Sequence, residues 1–210
     1  MPKFPSPSIL PALGKAFYTR GWMEGTGGNL SVRTGASQFH ITSSGLSKGT
    51  MKASQMVSVP VKGKIQTVGK LVPSYETWIH QALYQLYPGV NAVLHVHAPY
   101  ATWLSTQHGN NEKVELFETG WMEMFKGIGV GEEAARSLPI FPNWQDLKKL
   151  SAYIRAWLSE SKSEIPLILI HGHGVTAWGE SPEQAKNYLE TAEFLSRQVW
   201  LTQTASPNKS

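Results

Sequence analysis

The chain contains no cysteine. A disulfide framework is therefore excluded, and any metal site has to be built from imidazole and carboxylate, without thiolate. The absence is compatible with a reducing compartment. No run of 18 apolar residues occurs, so no membrane-spanning helix is expected. The opening MPKFPSPSILPAL lacks the basic-then-apolar pattern of a secretory leader, which points to the cytoplasm. The 19 basic residues outnumber the 15 acids, giving a net charge of +4, but no run of five basic residues exists. Nucleic acid is thus not an expected partner. The mild positive balance suits an anionic small substrate. No repeat, linker or low-complexity segment breaks the chain.

With 210 residues, 41% hydrophobic content and eight tryptophans, the sequence is expected to form one domain over residues 1–210. Residues 204–210 are expected to be a frayed tail. The most telling stretch is Asn91–Ala98, NAVLHVHA, bounded by Pro88-Gly89 and Pro99. It reads as a buried strand. His95 and His97 are two apart, so their side chains share one face and can grip one metal ion. The rival reading is a pair of core histidines, each bonded to a carbonyl. The later His171-Gly172-His173-Gly174, at the end of the apolar strand Pro166–Ile170, tilts the choice to metal.

Helical spacing marks Ser8–Tyr18. The glycine-rich Gly25-Thr26-Gly27-Gly28-Asn29 reads equally well as an anion nest or a plain turn. Strands are expected at Leu30–Arg33 and Gln38–Thr42, leading to the hydroxyl-rich Thr42-Ser43-Ser44-Gly45. Lys48, just beyond, could add charge for a phosphate but reads first as a solvated surface lysine. Val57–Val61 and Lys64–Val68 flank Lys62-Gly63, a hairpin signal. Ser74 is placed to cap a helix through Leu86, with Glu76 in its first turn, where the helix dipole favours an acid. After a short helix at Tyr100–Thr106 and a strand at Lys113–Phe117, Glu123 lies between Trp121, Met122, Met124 and Phe125. Apolar surroundings would raise a carboxylate pKa and suit proton transfer; an exposed acid on an amphipathic turn is the alternative. Further expectations are a strand at Leu138–Phe141, a helix capped by Asn143 and running to Ser159, a strand at Val175–Trp178, and a helix from Ser181 to Leu201. Strands and helices interleave, but several strand links are hairpin-short. A mixed sheet covered by helices on both faces follows.

Five segments in order resemble the class II aldolase/adducin superfamily: Gly25-Thr26-Gly27-Gly28-Asn29-Leu30-Ser31, Thr42-Ser43-Ser44-Gly45, Pro73-Ser74-Tyr75-Glu76, His95-Val96-His97 and Gly172-His173-Gly174. The resemblance covers nearly the whole chain. Glu118–Gly127, Pro139–Asn143 and Gly172–Gly179 are similar to the superfamily's dehydratases, which act on methylthioribulose 1-phosphate in methionine salvage. The resemblance implies a three-layer α/β/α fold around a mixed, largely antiparallel sheet. It also implies a homotetramer with sites near subunit contacts. One divalent metal per subunit, usually zinc, would be held by His95, His97 and His173, with His171 the competitor for the third place. Phosphate would sit among Gly28, Asn29, Ser44, Gly45 and Ser74. Glu123 would be the acid/base, with Glu76 in reserve, since the aldolases place their base there. Tyr75 departs from the aldolase pattern, which commonly has a second serine at that position. The alternatives are a sugar-phosphate aldolase or epimerase, and a non-catalytic binding module like adducin.

Overall fold

The computed structural model describes residues 4–67, 69–120, 122–129, 137–161 and 165–205. Its strands are β1 (Asn29–Gly35), β2 (Gln38–Thr42), β3 (Met56–Pro60), β4 (Ala92–Val96), β5 (Glu115–Glu118), β6 (Ser137–Phe141), β7 (Leu167–Ile170) and β8 (Gly174–Gly179). They form one sheet in the order β3-β2-β1-β4-β8-β7-β6-β5. Among the described residues only β6 and β7 pair in parallel; the other six contacts are antiparallel. The expected mixed, largely antiparallel sheet is what forms.

The helices are α1 (Leu10–Thr19), α2 (Thr77–Leu86), α3 (Pro99–His108), α4 (Leu147–Ser161) and α5 (Pro182–Ala205). Strand alternation divides the core in two. On β4, Ala92, Leu94 and Val96 face a cluster with α1, α3 and α5, whereas Val93 faces a cluster with α2 and α4. This is the α/β/α arrangement that the resemblance implied. By the same alternation His95 points to the α2 side.

Four local expectations are corrected. Lys64–Val68 makes no strand over its described residues, 64–67; Val68 lies outside them. The reason is α2: Gln81 donates to Pro60 O and Gly63 O, and Gln85 donates to Val61 O. Side chains thereby take carbonyls that a hairpin partner would have used. The cap of α4 is Asp146, whose carboxylate accepts from Lys149 N at 3.0 Å, while Asn143 N bonds Asn111 Oδ1. Ser74 does not cap α2 directly. It opens a turn in which Thr77 N donates to Ser74 O, leaving Glu76 at the cap position. The last helix outruns its expected end at Leu201 and reaches Ala205, so 204–205 are helical rather than frayed; 206–210 lie outside the described residues.

Candidate metal centre

β4 carries His95 and His97 to the end of the strand, and β8 lies beside it with His95 opposite Thr176. The chain enters β8 through the tight turn His171–Gly174, where Gly172 has φ +59°. Gly174 packs so closely on the Val96 backbone that no Cβ fits there. That contact sets His173 against the two strand histidines. Ring centroids are 5.1 Å apart for His95–His97 and 4.8 Å for each of the other two pairs. His171 goes elsewhere: its Nδ1 bonds Ser105 O of α3 at 3.0 Å.

Glu76 completes the group. Its Oε1 lies 3.4 Å from His95 Nε2 and 3.5 Å from His173 Nε2. One ligand atom from each of Glu76, His95, His97 and His173 falls within a 4.8 Å span. Glu76 Oε1, His95 Nε2 and His97 Nε2 are buried and have no hydrogen-bond partner among the described residues. Unpartnered buried polar atoms are rare in folded proteins, and converging ones fit a cation between them. His95 Nδ1 bonds Thr176 Oγ1 at 2.9 Å, which turns its Nε2 lone pair inward. Burial, then His173 and His97, hold His95 well below the usual histidine range; burial first, then His173 and Lys48, bring His97 to about 4. Both rings are thus neutral at pH 7, the form that ligates metal. Burial pushes the Glu76 carboxyl up, against opposing pulls from His173, Asn29 and Lys48. The donor set fits a divalent ion.

Glu123 stands apart from this group. It opens a 3₁₀ turn, Glu123–Ile128, with its side chain 76% exposed and paired to Lys126 at 2.8 Å. Phe125 and Ile128 of the turn point inward, while Glu123 faces out and lines an open surface recess with Met122, Met124 and Phe194. Trp121 lies outside the described residues.

The loops expected to take phosphate are adjacent. Ser43 bridges Pro73, and Ser44 N donates to Val72 O, which brings Ser44-Gly45 beside Ser74. Gly28 has φ +69°, and a Cβ there would lie 2.8 Å from His95 O. The Asn29 side chain is already committed. It is buried, with Nδ2 donating to Glu76 and Oδ1 accepting from His80 Nε2 at 2.6 Å, so both polar ends of its amide are engaged. Tyr75 turns its hydroxyl to Gln145 O, away from the serines. Lys48 is corrected. It is 2% exposed, and Nζ donates to Thr26 O and Leu46 O, joining the glycine loop to the hydroxyl loop.

Sequence reasoning missed His80 altogether. The signal was there, since Glu76, His80 and Tyr84 are four apart and share a helix face, while Asn29, Ser31 and Arg33 share a strand face.

The model of the Class II Aldolase and Adducin N-terminal domain family matches residues 9–200. The chain is 40% identical over 191 residues to a methylthioribulose-1-phosphate dehydratase from Microcystis aeruginosa, covering 90% of this chain and 91% of that protein. It is 41% identical over 194 residues to a probable bifunctional methylthioribose-1-phosphate isomerase/methylthioribulose-1-phosphate dehydratase from Nocardia farcinica. That match covers 92% of this chain and about a third, 35%, of the Nocardia protein. Among solved structures, YgbL of Klebsiella pneumoniae, described as a putative aldolase/epimerase/decarboxylase, superposes with TM-score 0.79 at 23% identity, covering 96% and 91% of the two chains. L-fuculose-1-phosphate aldolase from Thermus thermophilus superposes with TM-score 0.72 at 21% identity, covering 94% of each. Those two likenesses speak for the fold.

Proposed function

Because the chain belongs to the class II aldolase and adducin family, we propose that it is a metal-dependent lyase that dehydrates 5-methylthioribulose 1-phosphate. The product on this reading is 2,3-diketo-5-methylthiopentyl 1-phosphate, a step of methionine salvage. The observation that carries it is an intact Glu76–His95–His97–His173 cluster in a chain that matches a named dehydratase over 90% of its own length and 91% of the relative's. A binding module has no need of four converging ligand atoms, which argues against an adducin-like role. We further propose that the ion is zinc, one per subunit, held by His95, His97 and His173, and that the enzyme works in the cytoplasm as a homotetramer.

When bound, the ion supplies Lewis acidity toward the substrate's C2 ketone. The protein's own groups do the rest. Ser44, Gly45, Ser74 and the backbone at Gly28 hold the phosphate, and the buried Lys48 cation behind the two loops draws the dianion in. We assign Glu76, which lies beside His95 and His173, to take the C3 proton, acidic because it lies next to the ketone. The C4 hydroxyl leaves as water once protonated, and the resulting C3 enol tautomerises to the second ketone. Glu123 is assigned that second proton transfer. An exposed Glu123 can serve a site only where another copy of the chain meets it, so this role stands with the proposed tetramer.

The test is incubation of the zinc-loaded protein with 5-methylthioribulose 1-phosphate, reading products by mass and ultraviolet absorbance. A product 18 mass units lighter with diketone absorbance is expected. Release of a three-carbon or two-carbon phosphate would make the protein an aldolase, and a stereoisomer of unchanged mass an epimerase.

A further inference from the structure

A buried chain of hydrogen bonds runs from the metal cluster into the space between α2 and β1. Glu76 accepts from Asn29 Nδ2, and Asn29 Oδ1 lies 2.6 Å from His80 Nε2. His80 Nδ1 lies 2.7 Å from Ser31 Oγ, which lies 2.9 Å from the Tyr84 hydroxyl. Asn29 and Tyr84 are 1% exposed, and Ser31 and His80 are fully buried. No member is a member of the four-residue cluster except Glu76 itself.

We propose that His80 is a positioning residue that fixes the Asn29 amide, and through it the Glu76 carboxylate, against the three histidines. The inference rests on the reading that Glu76 belongs to the metal site. The order of donors and acceptors carries it. An ionised carboxylate only accepts, so the side of Asn29 facing Glu76 is the NH2. Its carbonyl then faces His80, which has to present an N–H from Nε2. A neutral ring has one N–H, so Nδ1 is bare and accepts from Ser31. Ser31 has one proton for two acceptors, His80 Nδ1 at 2.7 Å and Val93 O at 3.3 Å, and the shorter contact takes it. Tyr84 donates to the Ser31 oxygen and closes the chain. Each alternative orientation leaves a buried donor facing a donor or an acceptor facing an acceptor, an unsatisfied pair that the fold disfavours. The asparagine amide alone could flip; backed by His80 it cannot.

Three variants and two readouts that need no substrate test this. Ring nitrogen NMR of the metal-free protein is expected to show His80 as the Nε2–H tautomer; an Nδ1–H ring overturns the proposal. Cobalt affinity, followed by its visible spectrum, is expected to fall by about 10–100-fold in His80→Leu, the range typical of groups that orient metal ligands. His80→Gln, whose terminal amide restores an N–H near the Nε2 position, is expected to regain most of that loss. Equal losses in the two variants, or none in His80→Leu, overturn the proposal. Should His80→Leu fail to fold, Ser31→Ala keeps the question open by removing one hydroxyl. It is expected to mix the two ring tautomers and weaken cobalt binding by roughly tenfold; an unchanged ring and affinity would sink the idea. A wild-type protein that binds cobalt but does not dehydrate the ketose phosphate would refute the proposed reaction and leave these readouts standing.

Discussion

Glu76 and Glu123 carry the same functional group into opposite surroundings. Glu76 sits among imidazoles with its carboxyl pushed up by burial, while Glu123 is ion-paired at the surface. Their variants should therefore separate. Glu123→Gln is expected to lower kcat by about a hundred- to ten-thousand-fold with metal content and KM unchanged, as for loss of a general acid. Glu76→Gln is expected to lower kcat and weaken metal binding together. Normal turnover by Glu123→Gln beside a dead Glu76→Gln would leave Glu76 as the sole acid/base. The histidines separate in the same way. His173→Ala should lose bound zinc, measured by atomic absorption after dialysis, while His171→Ala should keep it, because its ring is spent on Ser105 O. Retained metal in His173→Ala and loss in His171→Ala would reverse the assignment.

At the scale of elements, the site depends on two loops that meet beside α2. Lys48 ties them, donating to Thr26 O on one and Leu46 O on the other. Burial pulls its ammonium down to about 8, against the opposing field of Glu76. It is thus charged at pH 7 and loses its charge as pH rises through about 8. Lys48→Met should raise KM for the phosphorylated substrate by about 10–100-fold, the worth of a charge-assisted hydrogen bond, with a smaller change in kcat. The wild-type KM should rise above pH 8 and the variant's should stay flat. Identical pH profiles would show that Lys48 has no part in holding phosphate. The failure of Lys64–Val68 to form a strand belongs to this scale as well. Lys62-Gly63 gives a sound turn signal, but Gln81 and Gln85 of α2 take the neighbouring carbonyls, a contact made from about 20 residues away.

At the scale of the whole molecule, burying the histidines links folding to pH. Burial holds His80 at about 3 and, with its neighbours, His97 at about 4; His95 is also well below its ordinary value. The unfolded chain takes a proton on each near pH 6.5, whereas the folded chain refuses it until lower pH. Protons therefore favour unfolding, and stability is lost as pH falls below about 6.5. Each ring contributes up to about 1.4 kcal/mol per pH unit in that window. The urea midpoint of the metal-free protein should accordingly fall between pH 7 and pH 5, and a flat profile would contradict the buried, neutral rings. Zinc should raise the midpoint at pH 7, reflecting a stabilisation of about 2.7 kcal/mol at a hundred times its dissociation constant, and chelation should remove that gain. The sequence by itself determined most elements and the shared face of His95 and His97, because strand and helix periods are local properties of the backbone. Its five-segment resemblance pointed to the fold and to His173. Only the tertiary structure decided that β8 lies beside β4, that α2 lays Glu76 and His80 over β1, that Lys48 is buried, and that Glu123 is not. Those outcomes depend on which distant segments pack together, and a lysine or glutamate looks the same in sequence whether water or protein surrounds it.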